Sequence, residues 1–341
     1  MNDFKDILNK LSFSEHLTAE EAEFSMNAMM SEEADTNQIA SFMTAMRIKG
    51  ETVDELTSFA KVMREKSLKV DVDVDGAVDI VGTGGDKSGT FNISTISAFV
   101  IAGAGVPVIK HGNRSASSKC GSADVLEQLG AVIELDNIQV AKVYNEVGMA
   151  FMFAPMFHPA LKYVMPARKS LGFRTFFNIL GPLANPAGVK RYVIGVYSKE
   201  LALTMIQILA NLDAEFAYTF NSHDGLDELS LAAQAEVFEL KNNLTSSAFT
   251  FDPQSLGFQK VNLDALLGGE PEGNGRIFTN ILDNNATQAQ KDIVLLNSAF
   301  AIKVSGKVES LSDAKAMAEE SLSSGKAKKI FNHFIETTQS V

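Results

Sequence analysis

Two periods alternate along this chain. Over residues 3–68 apolar positions return every three or four residues, as at Ile39, Phe42, Met43 and Met46, the stripe of a helix packed on one face. Thr18 with Glu21, Asp35 with Gln38 and Thr52 with Glu55 have capping-box spacing and mark helix starts; Gly50 marks a stop. The pattern predicts four short helices. A unit this small buries little core alone, so it is expected to pack on the rest of the chain or on a second copy. From residue 77 the period changes. Short apolar runs predict strands at 78–82, 107–110, 131–135, 149–153, 191–197, 215–220 and 236–240. Helical stretches fall at 92–104, 122–130, 137–147 and 199–211, with two or three more after a Gly-rich loop near 268–275. Strand–helix alternation implies a central, largely parallel sheet covered by helices, with ligands beyond the carboxyl ends of strands. The expected fold is α/β: a small N-terminal helical domain over 1–70, joined in space by a helical segment around 157–185, and a larger α/β domain over 71–341.

Charge narrows the partners. A net charge of −12 in 341 residues argues against a nucleic-acid or membrane-surface binder, so an anionic ligand needs a local gathering of cations and N–H groups. The single cysteine, Cys120, excludes an intramolecular disulfide and suits a reducing compartment. The start, MNDFKDILNK, lacks the apolar core of a signal peptide, and the apolar stretch Ile93 to Ile109 is too interrupted to span a membrane. A cytoplasmic location is expected. The acidic joint at Asp71, Asp73, Asp75 and Gly76 has half the spacing of an EF-hand, but Gly82 stands where the bidentate Glu belongs. It reads as a solvated hinge.

Four stretches carry candidate chemistry. "GTGGDKSGTFNIST", 82–95, follows an apolar strand, yet Asp86 precedes Lys87 where a P-loop needs Gly, and Lys87 stands where a dinucleotide fingerprint needs its third Gly. Its glycines let backbone N–H groups converge on an anion, and Asn92-Ile93-Ser94-Thr95 then opens a helix whose N–H groups add to the site. Asn92 or Ser94 can equally cap that helix. "KHGNRSASSKCGSADVLEQLG", 110–130, gathers Lys110, His111, Arg114 and Lys119 with Asn113, Ser115, Ser117, Ser118 and Ser122, donors suited to phosphate or pyrophosphate; the rival reading is a polar loop before a helix. "SHDGLDELS" places Asp227 beside Glu228, hard oxygen ligands suited to Mg²⁺ on substrate phosphates, or else acidic charge at the start of a short helix. In "FHPALKYVMPARKSLGFRTFFNILGPLANPAG", 157–188, Arg168 follows Pro166, near which the preceding helix is expected to end, with His158 and Tyr163 before it. A guanidinium suits a carboxylate and the rings suit an aromatic, though a buttressed helix end is equally open. His16, His223 and His333 are scattered and form no metal-binding pattern.

With these pieces in order the chain resembles the anthranilate phosphoribosyltransferases, most densely at "DIVGTGGD", "TFNIST", "KHGNRSASSKCGSADVLE", "MPARKSLGFRTFFNILGPLANPAG" and "GLDE". The resemblance implies the fold shared with pyrimidine nucleoside phosphorylases, homodimers formed through the helical domain, and two substrates, anthranilate and 5-phosphoribosyl-1-pyrophosphate (PRPP), with no nucleic acid and no membrane. It implies PRPP contacts from Gly82, Gly85, Asp86, Thr90, Asn92, Ile93, Ser94, Thr95, Lys110, His111, Gly112, Asn113, Arg114, Ser115, Ala116, Ser117, Ser118 and Ser122. It implies anthranilate contacts from Gly82, Asn113 and Arg168, with His111, His158 and Tyr163 along its route, and two Mg²⁺ ions held by Ser94, Asp227 and Glu228. No general base is implied. The family often has His five residues before the Asp of its pair, where Ser222 stands here, and "LSLAAQAE" lacks the usual Thr-Gly or Thr-Pro; both bear on metal-site support. Two rivals stay open: a nucleoside phosphorylase on the same fold, needing a base-reading site in place of Arg168's, and a non-catalytic nucleic-acid-binding relative, which would show a basic face.

Overall fold

The structure, a computed structural model, describes residues 3–86, 88–115 and 119–341. In chain order these form α1 (Phe4–Ser12), α2 (Ala19–Met29), α3 (Thr36–Lys49), α4 (Val53–Glu65), β1 (Val78–Gly82), α5 (Ile93–Gly103), β2 (Val108–Gly112), α6 (Ser122–Gln128), α7 (Asn137–Val147), β3 (Met149–Phe153), α8 (Ala154–Phe157), α9 (Met165–Leu171), α10 (Phe177–Leu180), β4 (Arg191–Gly195) and α11 (Lys199–Asn211). Then come β5 (Phe216–Ser222), β6 (Ala235–Lys241), β7 (Leu244–Thr245), β8 (Phe249–Phe251), α12 (Pro271–Leu282), α13 (Gln288–Val304), α14 (Leu311–Ser323) and α15 (Lys326–Ser340). Four helices, not two or three, close the chain.

The chain divides into two units. One holds the residues up to Lys69 together with Pro155–Pro186; the other holds Val70–Ala154 and Ala187–Val341. Aromatic packing explains why 155–186 belongs with the first helices. Phe176 lies 4.7 Å from Phe59 and 6.1 Å from Phe42, ring centre to ring centre, and all three are wholly buried. Arg64 Nε also donates to the Leu183 carbonyl at 2.6 Å. The three capping boxes form with both reciprocal bonds, and Gly50 ends α3 at φ +84°.

In the larger unit the sheet runs β3-β2-β1-β4-β5-β6-β7, with β8 also on β6. The strands from β3 to β5 are parallel; β6 is antiparallel to β5. α5 is buried along nearly its whole length and packs on α13, itself buried on almost every side. Residues 131–135 are not a strand. Ala131, Ile133 and Leu135 are buried and their neighbours exposed, as the alternation predicts, but the Val132 N–H bonds to Thr338 Oγ1 of α15 rather than to a strand. The period reported extended backbone; only a ladder partner makes it a strand.

Candidate active site

From β1 the chain builds β2 and β3 to one side, then returns to place β4 and β5 on the other. This reversal opens the crevice where open α/β sheets bind ligands. Gly82 ends β1 and pairs in register with Gly195, which ends β4. Asp227 fills the space above them. A Cβ on Gly82 would lie 2.8 Å from Asp227 Cγ, and one on Gly195 would overlap the Asp227 carbonyl. No side chain fits at either strand end. Gly84 and Gly85 adopt φ of +71° and +75°, and Gly84 donates its N–H to Asp227 Oδ2 at 2.6 Å. In this state that N–H meets a carboxylate of the protein.

Glu228 accepts the Ser94 N–H at the start of α5, 3.1 Å. The Lys110 ammonium, buried on β2, donates to Ser94 Oγ at 3.3 Å and to the Ile80 carbonyl. Burial pulls this lysine below its usual range, against the pull of Asp79, Glu228 and Asp227. Burial pushes Asp227 well up, with Glu228 and Asp86 adding to it. It pushes Glu228 up to about 7, Lys110 and Ser94 opposing. Several carboxyls thus crowd around one cation, and burial with mutual repulsion favours their protonated forms. Residues 223–234 contain no helix, so the alternative of charge at a helix start does not hold for the pair.

Asn92 occupies the N-cap of α5 without capping it; its Nδ2 donates instead to the Cys120 carbonyl at 3.1 Å. This ties the first loop to the second. In the second, Asn113 accepts from Ser122 Oγ (3.1 Å) and Ala123 N (3.2 Å) through its carbonyl. Arg114 forms a fork on Glu127, 2.8 Å at its longer arm, reaches Asp124 at 3.1 Å and lies over the Phe153 ring at 5.3 Å. Ser115 N donates to Asp124 at 3.1 Å, and Lys119 pairs with Glu270 at 3.1 Å. Gly85 and Asp86 lie on the first loop, where Ser88 and Thr90 share a hydroxyl contact of 3.2 Å; Ile93 and Thr95 are buried in α5. His111 is buried on β2, its backbone N–H donating to Asp79 Oδ1 at 3.3 Å, and Gly112 abuts Ser122. Ala116, Ser117 and Ser118 lie outside the described residues.

The helical unit carries the remaining candidates. His158 precedes and Tyr163 ends a short 3₁₀ helix, Pro159–Tyr163, and Tyr163 Oη lies 3.5 Å from Glu32. Pro166 opens α9 rather than closing the helix before it, so Arg168 sits inside α9. Proline at a first turn sacrifices no hydrogen bond, so Pro166 is compatible with a helix start as well as a helix end. Arg168 is half-buried over Phe177 at 5.3 Å, and among the described residues no carboxylate pairs with it. Burial lowers its pKa.

Residues 5–67 match the helical-bundle domain of the glycosyl transferase family and residues 74–328 its a/b domain. The chain is 47% identical over 315 residues to the anthranilate phosphoribosyltransferase of Ruminiclostridium cellulolyticum, covering 92% of each. The chain belongs to the anthranilate phosphoribosyltransferase family. The family's crystal structure from Thermus thermophilus superposes with a TM-score of 0.92 at 37% identity, covering 99% of this chain and 100% of that one. The Saccharomyces cerevisiae enzyme, solved in complex with PRPP and Mg, gives 0.91 at 28% identity over 99% and 98%. It has also been solved with 4-fluoroanthranilate. The chain is therefore an enzyme that transfers a phosphoribosyl group to anthranilate. Its membership was legible in the five ordered motifs. Gly195 and Asn297 were not: the first ends "VIG" like many strands, and the second, in α13, bonds the backbone of Leu229, just after the acidic pair, across 68 residues of sequence.

Proposed function

We propose that this phosphoribosyltransferase works at the carboxyl ends of β1, β2, β4 and β5, taking PRPP and anthranilate to N-(5-phosphoribosyl)anthranilate and pyrophosphate, the second step of tryptophan synthesis from chorismate. The observation that carries the site assignment is the buried Asp227–Glu228 pair with Lys110 at the sheet's reversal point. The donor set fits Mg²⁺. Hard carboxylate oxygens lie buried in excess over cations at Asp227 and Glu228, and two ions are assigned there from the family resemblance. Among the described residues no three His, Cys, Asp or Glu side chains form a metal cage, so substrate oxygens and water complete the shell. Asp227, Glu228 and Ser94 Oγ are the assigned ligands. When bound, the metal screens negative charge building on the departing pyrophosphate.

The protein's own groups do the rest. Cleavage at ribose C1 leaves positive charge on the sugar, as in glycoside cleavage. Lys110 and the donors assigned on the two loops, 82–95 and 110–122, hold the leaving group. The anthranilate amine is already nucleophilic, so orientation suffices and no base is assigned. In the helical unit Arg168 receives the anthranilate carboxylate, with His158 and Tyr163 on its route. In the α/β unit Gly82, His111 and Asn113 are assigned to anthranilate. A homodimer through the helical unit is assigned from the family resemblance, and sedimentation tests it. Fractionation of the native host tests the cytoplasmic assignment; no helix among the described residues is long and apolar enough to cross a membrane.

Anthranilate fluorescence is expected to decay only when PRPP and Mg²⁺ are both present. Consumption of thymidine or uridine with phosphate, and none of anthranilate, overturns the reading in favour of a phosphorylase. A pH series tests the metal ligands separately. Both carboxyls titrate above their ordinary range, so metal binding must displace a proton at lower pH. Below Glu228's pKa of about 7, half-saturating Mg²⁺ is expected to rise roughly tenfold per pH unit for each proton displaced. A flat profile from there downward removes the pair from the metal.

A further inference from the structure

The acidic pair lies in a stretch without regular structure, yet four backbone groups from Glu228 to Ser230 have side-chain partners. We propose that Ser222 and Asn297 are positioning residues that grip this backbone and so set the direction of the Asp227 and Glu228 carboxylates. The inference rests on reading that pair as the metal ligands.

Ser222 Oγ donates to the Glu228 carbonyl at 2.7 Å and accepts the Ser230 N–H at 3.2 Å. Asn297 Oδ1 accepts the Leu229 N–H at 3.0 Å, and its Nδ2 donates to the Leu229 carbonyl at 3.0 Å and to the Ile293 carbonyl at 2.9 Å. Four successive backbone groups therefore end on two side chains, both with zero exposure. Ser222 is the last residue of β5 and Asn297 lies midway along α13, so the turn is fastened to the sheet and to a buried helix. Upstream, Ser230 Oγ donates to Asp224 Oδ2 at 2.6 Å and closes the same turn. Gly82 and Gly195 bound Asp227 from below. The pair thus has little room to rotate. Ligands held this way bind a cation without first ordering a loop.

Backbone groups buried in a turn need partners in any case, and a purely structural role predicts lost stability alone. Mn²⁺ binding in the presence of PRPP and absence of anthranilate, read from the EPR signal of free Mn²⁺, separates the two. Ser222→Ala is expected to weaken Mn²⁺ binding about tenfold while the KM for anthranilate moves less than about twofold. Asn297→Leu should act in the same direction; if it does not fold, Ser222→Ala decides. Unchanged Mn²⁺ affinity in Ser222→Ala, whatever its melting temperature, overturns the proposal. Asp227→Asn with Glu228→Gln is the control. If that double variant leaves Mn²⁺ affinity intact, the metal assignment fails; if it weakens binding and Ser222→Ala does not, only the positioning role fails.

Discussion

Replacing Asp227 with Asn and Glu228 with Gln together is expected to lower turnover by at least roughly 10²–10³-fold, the scale on which loss of charge stabilisation at a reacting group is felt. Stability should respond differently. Both carboxyls are buried, and burial together with their repulsion when ionised raises both, Glu228 to about 7. Neutral isosteres remove that repulsion, so the metal-free double variant should melt no lower than the parent. Glu228 does lose its charged contact with the Ser94 N–H, but a carboxamide oxygen accepts the same bond. Initial rates against Mg²⁺ concentration, alongside thermal melts, decide the matter. A variant that melts lower and keeps the parent's metal dependence would make the pair a structural device.

Arg168→Ala is expected to raise the KM for anthranilate roughly ten- to hundredfold, since one decade is about 1.4 kcal/mol and a charge-assisted contact contributes about 1.5–3 kcal/mol. The guanidinium is half-buried over the Phe177 ring, and no protein carboxylate among the described residues competes for it. An arginine drawn out of water without a partner anion is poised to accept one. The KM for PRPP should move far less, because its assigned contacts lie elsewhere, on Lys110 and the two loops. Arg168→Lys should recover part of the loss, keeping charge but not the fork. Varying each substrate in turn checks this. Impairment mainly toward PRPP, or toward neither substrate, would leave Arg168 a support for α9.

Local chemistry was the legible part of this chain. Thr18 and Glu21 announce a helix start because both partners lie within one turn, and the structure forms both bonds. The same holds for Gly82, Gly84 and Gly85, whose spacing implies close backbone approach. What approaches, in this state, is Asp227, from 143 residues away, and nothing in the local pattern names it. Arg114 shows a related limit. Its charge reads as an anion ligand, yet Asp124 and Glu127 one helix later meet it, and only the phase of α6 brings them round. At 131–135 the alternation was real and the strand was not, because burial can be satisfied against a helix. Ser222, read as a departure from the family, turns out to have two partners in the turn it precedes.

The helical unit is written in two instalments, with 85 residues of the other unit between Lys69 and Pro155. A ribosome therefore delivers α1 to α4 long before Phe176, the ring that packs on both Phe42 and Phe59. For that interval the nascent chain shows an uncovered aromatic face to whatever meets it, a natural target for a holding chaperone. The same arrangement makes the first 69 residues a poor fragment to express alone. A version that appends 155–186 by a linker should be the smallest soluble form of the unit.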